Sequence, residues 1–157
     1  MCGPGSATRS GRPRVADIGC GFGWASIEMA KASPYLTIDG YDCDEESISA
    51  ARRNAAEHGV SDRVTFEVVD AGGADYRGRR YDVVFFFECL HDTAHPTAAL
   101  QAARAASTPG GTVIVMDERA SDTIEVGDPA QIFFAAVTSS GACRRRASRP
   151  TPNHPAR

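Results

Sequence analysis

The sequence predicts an α/β fold with an open, doubly wound and mostly parallel sheet of about five strands. Three observations support this prediction. Short apolar runs alternate with helical segments, a glycine-rich loop follows the first run, and the fourth run is apolar almost throughout. Strands buried on both faces have such runs, and alternating strands and helices form parallel sheets with right-handed crossovers.

The strands are predicted from apolar runs that stop at glycine or at polar residues. They span Arg14–Ile18, Leu36–Tyr41, Val64–Val69, Tyr81–Phe87 and Thr112–Met116. A turn at Pro109-Gly110-Gly111 is expected to precede the last strand.

The helices are predicted from apolar spacing and from signals at their ends. They span Trp24–Ala32, Glu45–His58, Pro96–Ala106 and Asp128–Val137. One domain is therefore expected at residues 14–137. Residues 1–13 are rich in Gly, Ser, Pro and Arg and predict a disordered N-terminus. Residues 138–157 predict an irregular tail rich in Arg and Pro.

Composition argues against several classes of function. All 20 acidic residues lie at or before Asp128, and an acidic body does not favour a nucleic-acid partner. No apolar run approaches the roughly 18–20 residues that cross a bilayer, and no apolar segment follows the basic N-terminal residues. We therefore expect a cytoplasmic protein with no membrane partner. The five cysteines form no CxxC pair, which predicts reduced thiols and no metal site.

The glycine loop is the sharpest feature of the sequence. Gly19, Gly21 and Gly23 alternate between the first strand and the first helix. Glycine lets the backbone turn tightly and approach a ligand closely, although a glycine-rich turn without a ligand is the simpler alternative. The spacing is G-x-G-x-G, whereas dinucleotide sites use G-x-G-x-x-G. Asp17 precedes the loop, and an acid there suits a cationic ligand better than a pyrophosphate.

Three further acids follow strands two, three and four. Asp42 can accept both hydroxyls of a ribose, or it can cap the next helix. Asp70, followed by Ala71, can reach an adenine edge, or it is a turn residue. Glu88 ends an apolar strand, where a carboxylate needs water, a partner or a ligand.

Acids therefore follow four successive strands, and ligands bind at the carboxyl ends of the strands in open α/β sheets. This arrangement predicts a pocket for a polyhydroxylated cation. S-adenosylmethionine, which carries an ammonium and a sulfonium, is such a ligand.

Five segments together resemble class I S-adenosylmethionine-dependent methyltransferases, which have a Rossmann-like fold. They read V-A-D-I-G-C-G-F-G, D-G-Y-D-C-D, V-D-A, Y-D-V-V-F-F-F-E-C-L-H-D and P-G-G-T-V-I-V-M-D-E, and they cover residues 14–118. The segment F-E-C-L-H-D followed by M-D-E-R is also similar to a bacterial subgroup with an N-terminal winged-helix domain.

The resemblance implies S-adenosylmethionine as the methyl donor and a cofactor role for nine residues. The three glycines of the loop would lie against the methionine part, and Asp17 would orient its amino group, directly or through water. Asp42 would hold the ribose. Asp70 and Ala71 would contact the adenine, whereas Glu88 and Cys89 would line the pocket near the methionine.

The resemblance also implies that the domain is truncated at both ends. Members of the family usually have a helix before strand one, and a helix with an antiparallel hairpin after strand five. Strand five is therefore expected to be an exposed edge, which is a risk for aggregation. We hypothesise that the tail results from a frameshift.

The implied function is methyl transfer to a small-molecule acceptor. His91 is the candidate base if the acceptor must lose a proton; a histidine on the surface or at a helix start is the alternative. His91 and His95 have the spacing of a metal pair on a helix, but Pro96 argues against a helix there. The other hypotheses are a noncatalytic fragment and an NAD-dependent oxidoreductase, for which the single Lys31 is badly placed as a catalytic lysine.

Overall fold

The structure is a computed structural model that describes residues 11–72, 76–117, 119, 123 and 125–138. The expectations for residues 1–10 and 139–157 lie outside these residues. No helix in the described ranges is both long enough and apolar enough to cross a membrane.

Five strands and four α-helices alternate along the chain. In chain order they are β1 Arg14–Ile18, α1 Trp24–Ala32, β2 Thr37–Asp42, α2 Glu45–Glu57, β3 Val64–Val68, β4 Tyr81–Phe87, α3 Pro96–Ala106, β5 Ser107–Met116 and α4 Pro129–Thr138. Most bounds agree with the sequence prediction within one residue. The exception is β5, which starts five residues early and includes the predicted turn. Its pairing jumps from Ser107 opposite Tyr81 to Thr112 opposite Val83, so the turn is a bulge within the strand.

All neighbouring strands are parallel, in the order β3-β2-β1-β4-β5. The chain first adds strands on one side of β1 and then crosses to the other side, so the order reverses between β1 and β4. Ligands of open α/β sheets bind at the carboxyl ends of the strands near such a reversal. The topology therefore confirms the predicted doubly wound α/β fold.

The ends of α2 illustrate how local sequence defines the elements. The Asp44 carboxylate accepts a hydrogen bond from the N–H of Ser47 at 2.8 Å and caps the first turn. At the other end, Gly59 has a φ of +66°. The N–H groups of Gly59 and Val60 bond back to Ala56 and Ala55, which is the Schellman motif.

Two apolar cores lie on opposite faces of the sheet. On one face α1 and α2 pack on β1, β2 and β3, with Ile27, Ile38 and Phe66 at the centre. On the other face α3 packs on β1 and β4, with Val84 and Phe86 at the centre. The sheet is thus covered from both sides near β1, where the strand order reverses.

A buried carboxylate fixes β2 within this sheet. Asp39 is only 2% exposed, and it accepts hydrogen bonds from Arg14 and Thr65, each at 2.6 Å, and from Tyr81 at 3.1 Å. A buried charge is stable only when it is paired in this way. Arg79 donates to the hydroxyl of Tyr41 at 3.0 Å and joins the same network.

Candidate functional site

A cavity of about 210 Å³ opens at the carboxyl ends of β1, β2, β3 and β4. Its wall comprises Ile18, Gly19, Tyr41, Asp42, Cys43, Val69, Ala71, Glu88, Cys89, Asp92 and Thr93. The wall thus includes five of the nine residues that the sequence assigns to the cofactor. The other four, which do not line the cavity, are Asp17, Gly21, Gly23 and Asp70.

The glycines shape the loop at one end of the cavity. All three have positive φ, at +71° for Gly19, +50° for Gly21 and +80° for Gly23. A Cβ on Gly19 would lie 2.5 Å from the Cβ of Cys89, and one on Gly23 would lie 2.5 Å from the ring of Phe66. Gly19 and Gly23 are therefore required by packing as well as by conformation, and only Gly19 faces the cavity.

Asp42 links the glycine loop to the end of β2. Its carboxylate accepts hydrogen bonds from the N–H of Gly21 and from the N–H of Asp44, each at 2.9 Å. The side chain that caps α2 is Asp44, so the alternative assignment of Asp42 as the helix cap is wrong. Asp42 lies on the cavity wall, and each of its two carboxylate oxygens accepts one of these hydrogen bonds.

Asp17 is buried and does not line the cavity. It is 2% exposed, and its carboxylate accepts a hydrogen bond from the hydroxyl of Ser26 at 2.7 Å. Burial raises the pKa of Asp17 to about 6, and the nearby charge of Asp42 adds to that rise, whereas the bond from Ser26 opposes it. The carboxylate therefore sits below the glycine loop, at the start of α1.

Asp70 and Ala71, the second and third residues after β3, differ in position. Ala71 lines the cavity. Asp70 is exposed, and its carboxylate accepts a hydrogen bond from the N–H of Gly72 at 2.9 Å. This is the local turn bond that short acidic side chains favour. The contact that Asp70 makes is therefore the one expected of a turn residue.

Glu88 and Cys89 form the wall at the end of β4. Glu88 is exposed and has a φ of +50°, which is uncommon for a residue with a side chain. The Cys89 thiol donates to the carbonyl of Ile18 at 3.0 Å. Burial raises the pKa of Cys89 to about 12, and the charges of nearby acids add to the effect. Cys89 is therefore a protonated thiol that packs against β1.

His91 is held by an acid that the sequence analysis did not assign. Its Nδ1 bonds to the carboxylate of Asp117, which also accepts the N–H of His91 at 3.1 Å. Partial burial lowers the pKa of His91, but the bond and the charge of Asp117 outweigh that effect, so the pKa is raised above 6.5. Asp117 directly follows β5, and Asp42 is the last residue of β2, so both acids lie at strand ends. The pattern of acids at strand ends would have found it.

Two buried oxygen atoms near the cavity have no hydrogen-bond partner among the described residues. One is Oδ1 of Asp92, which lines the cavity. The other is the hydroxyl of Tyr76, whose ring lies 5.3 Å from that of Tyr41 on the wall. Unpaired buried polar atoms are costly, and both atoms retain unused hydrogen-bonding capacity.

The cysteines depart from the expectation at one position. Cys43 is disulfide-bonded, so the prediction of reduced thiols is wrong at that position, whereas Cys20 and Cys89 are free. No group of three His, Cys, Asp or Glu side chains is arranged for a metal within the described ranges.

Comparison with known proteins points to one family. A family model described as "Methyltransferase domain" matches residues 10–141. The 27-O-demethylrifamycin SV methyltransferase of Amycolatopsis mediterranei is 34% identical over 104 residues, which is 66% of this chain and 38% of the relative. The ubiquinone biosynthesis O-methyltransferase of Shewanella halifaxensis is 36% identical over 64% of this chain and 41% of the relative. The chain thus spans about two fifths of these relatives.

Solved structures share the fold. The [4+2]-cyclase SpnF matches with a TM-score of 0.67 and 28% identity over 75% of this chain and 44% of its own. A methyltransferase from Geobacter sulfurreducens in complex with S-adenosyl-L-homocysteine matches with a TM-score of 0.58 and 25% identity, over 67% of this chain and 41% of its own.

Proposed function

The chain belongs to the methyltransferase-domain family, and we propose that it binds S-adenosylmethionine and directs its methyl group to a small-molecule hydroxyl. The observation that carries this proposal is the cavity at the strand ends, with the Asp42 carboxylate on its wall and the glycine loop beside it. The G-x-G-x-G spacing and the buried acid at Asp17 argue against an NAD site.

The side chains on the wall suit the cofactor in two ways. The carboxylate of Asp42 is aligned by two N–H groups and retains lone pairs for ribose hydroxyls. The buried Oδ1 of Asp92 has no hydrogen-bond partner among the described residues and can accept from a donor of the ligand. For Ala71 we propose contact with the adenine, and for Glu88 and Cys89 contact with the methionine part.

The remaining predicted residues receive indirect roles in this proposal. Gly21 and Gly23 set the course of the loop, and Asp70 holds the turn after β3. Asp17 acts on the cofactor's ammonium by its charge and by fixing Ser26, because its carboxylate does not reach the wall.

His91 is the proposed base. Bound S-adenosylmethionine supplies an electrophilic methyl group on a positively charged sulfur. The chain's own residues then have to position a hydroxyl and accept its proton. Asp117 orients the imidazole through Nδ1 and stabilises the imidazolium, and we propose Nε2 as the atom that accepts the acceptor's proton. Nε2 lies 3.7 Å from Asp92 on the cavity wall. The names of both relatives specify methylation at oxygen, which supports a hydroxyl acceptor.

Calorimetric titration of the full chain with S-adenosylhomocysteine and with NAD tests the cofactor proposal. We expect saturable heat with the first ligand only. Heat with NAD alone would favour an oxidoreductase, and no heat with either ligand on a folded sample would favour a noncatalytic fragment.

Transfer of labelled methyl groups to a phenol, a secondary alcohol and a primary amine tests the proposed base. We expect transfer to a hydroxyl to fall by about 10²-fold or more in His91→Gln, the usual size of a general-base contribution. Affinity for S-adenosylhomocysteine should stay within the error of the wild type. Equal transfer by His91→Gln would contradict the role of His91 and leave the cofactor proposal standing.

A further inference from the structure

Tyr76 carries a buried hydroxyl group without a partner inside the fold. The residue begins the short turn Tyr76–Gly78 before β4, and it is only 1% exposed. Its hydroxyl oxygen is covered from solvent and makes no hydrogen bond within the described part of the chain. A hydroxyl that loses its bonds to water and gains none in exchange destabilises a fold.

The two neighbouring buried tyrosines are fully bonded, which makes Tyr76 the exception in its core. The hydroxyls of Tyr41 and Tyr81 lie 2.6 Å apart. Tyr81 donates to Asp39 at 3.1 Å, and Tyr41 accepts from Arg79 at 3.0 Å. The core therefore satisfies two of these three phenol groups and leaves the third unpaired.

The backbone at Tyr76 is unfavourable as well. Its φ is +44°, in the left-handed region that residues with a side chain rarely adopt. Such a conformation persists only where the surrounding packing enforces it. The ring is packed beside that of Tyr41, with 5.3 Å between the two centroids. The fold thus holds this side chain in place in spite of a strained backbone and an unpaired hydroxyl.

The ring is held directly behind the cavity wall. Tyr41 lines the cavity and belongs to the same core as Tyr76, and the wall residues Ala71 and Cys89 pack against that core. Burial raises the pKa of Tyr76 well above its usual value, and Tyr41, Cys89 and Asp70 add to the rise. The hydroxyl therefore keeps its proton at neutral pH and lies within electrostatic range of the wall.

We propose that Tyr76 is a cofactor-binding residue whose hydroxyl donates a hydrogen bond to a ring nitrogen of the adenine. The inference rests on the proposed function, because it takes S-adenosylmethionine as the ligand. Ala71, the proposed adenine contact, packs against the same core as Tyr76. Ionised carboxylates such as Asp42 and Glu88 on the wall only accept hydrogen bonds. A ring nitrogen needs a donor, and a protonated phenol is one.

A small shift of the turn brings the hydroxyl into contact with the cofactor. The turn ends at Gly78, where a Cβ would meet no atom within 4 Å, so this end of the turn has room to move. The shift replaces an unpaired hydroxyl by a bonded one. The hydroxyl of Tyr76 therefore lowers the stability of the free protein and raises its affinity for the cofactor.

Tyr76→Phe in the full chain tests both effects, because it removes only the hydroxyl oxygen. Thermal unfolding without ligand should show a variant at least as stable as the wild type. Calorimetric titration with S-adenosylhomocysteine should show binding about three- to tenfold weaker, the size expected for one hydrogen bond. A less stable variant would show that the hydroxyl is bonded within the fold, and unchanged affinity would show that the cofactor does not use it. Either result overturns the proposal.

Tyr81→Phe is the matched control, since it removes a bonded hydroxyl from the same core. It should lower the unfolding temperature and leave the affinity for S-adenosylhomocysteine close to that of the wild type. Circular dichroism checks that both variants are folded at the temperature of the titration. An equal loss of affinity in the two variants would point to a general effect of core packing and would overturn the role of Tyr76.

Analogues of S-adenosylhomocysteine locate the bond on the adenine. In each analogue a C–H replaces one of the accepting ring nitrogens. The analogue without the contacted nitrogen should bind the wild type and Tyr76→Phe equally, whereas the others should keep the loss. A full loss with every analogue would overturn the assignment to a ring nitrogen. No binding of S-adenosylhomocysteine by the wild type would overturn the proposed function together with this inference, whereas binding that Tyr76→Phe leaves unchanged would overturn this inference alone.

Discussion

The half of the sheet formed by β1, β2 and β3 is more completely covered than the half formed by β4 and β5. In the first half, α1 and α2 bury one face, and Arg52 blocks the edge. In the second half, Phe85 and Phe87 are partly buried, and Ile114 and Met116 are exposed. The first half carries Asp42 and the glycine loop, whereas the second carries His91 and Asp117.

In the proposed function, this difference means that cofactor binding and proton acceptance use different halves of the sheet. Nucleoside recognition requires donors and acceptors held in one arrangement, and rigid, buried elements provide it. The proposed ribose contact, Asp42, therefore lies on the more completely covered half, and the proposed base, His91, lies on the less covered half.

The largest expected effect is on cofactor affinity at the covered half. Asp42→Ala removes the acceptor for ribose and the bonds to Gly21 and Asp44. A hydrogen bond to a charged group contributes about 1.5–3 kcal/mol, so the loss of two predicts at least about a hundredfold weaker binding of S-adenosylhomocysteine by calorimetry.

Asp44→Ala is the matched control for that change. It removes the cap of α2 and should cost about 1 kcal/mol of stability, while affinity stays close to that of the wild type. Unchanged affinity in Asp42→Ala would refute the ribose assignment.

Asp17 lies on β1, next to the boundary between the two halves, and it should make the stability of the fold depend on pH. Because its folded pKa is raised from 3.8 to about 6, the folded state binds more protons between these values, and stability falls as pH rises through them. The shift corresponds to on the order of 3 kcal/mol. In denaturant titrations, the free energy of unfolding of Asp17→Asn should rise relative to that of the wild type by about 2 kcal/mol from pH 4 to pH 6.5, the part of the effect that this pH range covers. A constant difference between Asp17→Asn and the wild type over this pH range would show that the Asp17 carboxyl titrates alike in the folded and unfolded states.

Two glycine substitutions test how tightly the covered half is packed around the loop. Gly23→Ala places a methyl group against Phe66 in a left-handed conformation, and it should cost about 3 kcal/mol of unfolding free energy. Gly21→Ala is equally left-handed but meets no atom within 4 Å, so its cost should be about 1 kcal/mol. Equal costs in thermal unfolding would contradict the packing role of Gly23.

The smallest expected effect is at the less covered half. Asp117→Asn removes the charge and the bond that raise the pKa of His91, so NMR titration should give a lower pKa than in the wild type. The raised pKa contributes stability that is complete below about pH 6.5 and is lost as pH rises through the folded value. Asp92→Asn should lower the pKa by less, because Asp92 makes the smaller contribution. A larger drop with Asp92→Asn would contradict the pairing of His91 with Asp117.

Most of the fold was predictable because its signals are local. The bounds of β1, α1, β4 and α3 agree with the sequence prediction to the residue. Glycine or proline marks an end of β1, α1 and α3, and charged residues flank the apolar run of β4. β5 was misjudged at its start, because Pro109-Gly110-Gly111 has turn chemistry, whereas the pairing of Ser107 with Tyr81 depends on a distant strand.

The order of elements and the acids at the strand ends were determined by the sequence alone, because both follow from neighbouring residues and from the geometry of parallel strands. Only the tertiary structure decided what each acid does. Asp17 turns inward to Ser26, Asp42 bonds to the loop after another strand, and Asp117 reaches His91 from β5. These contacts join residues far apart in the chain, and only packing fixes the distances between them.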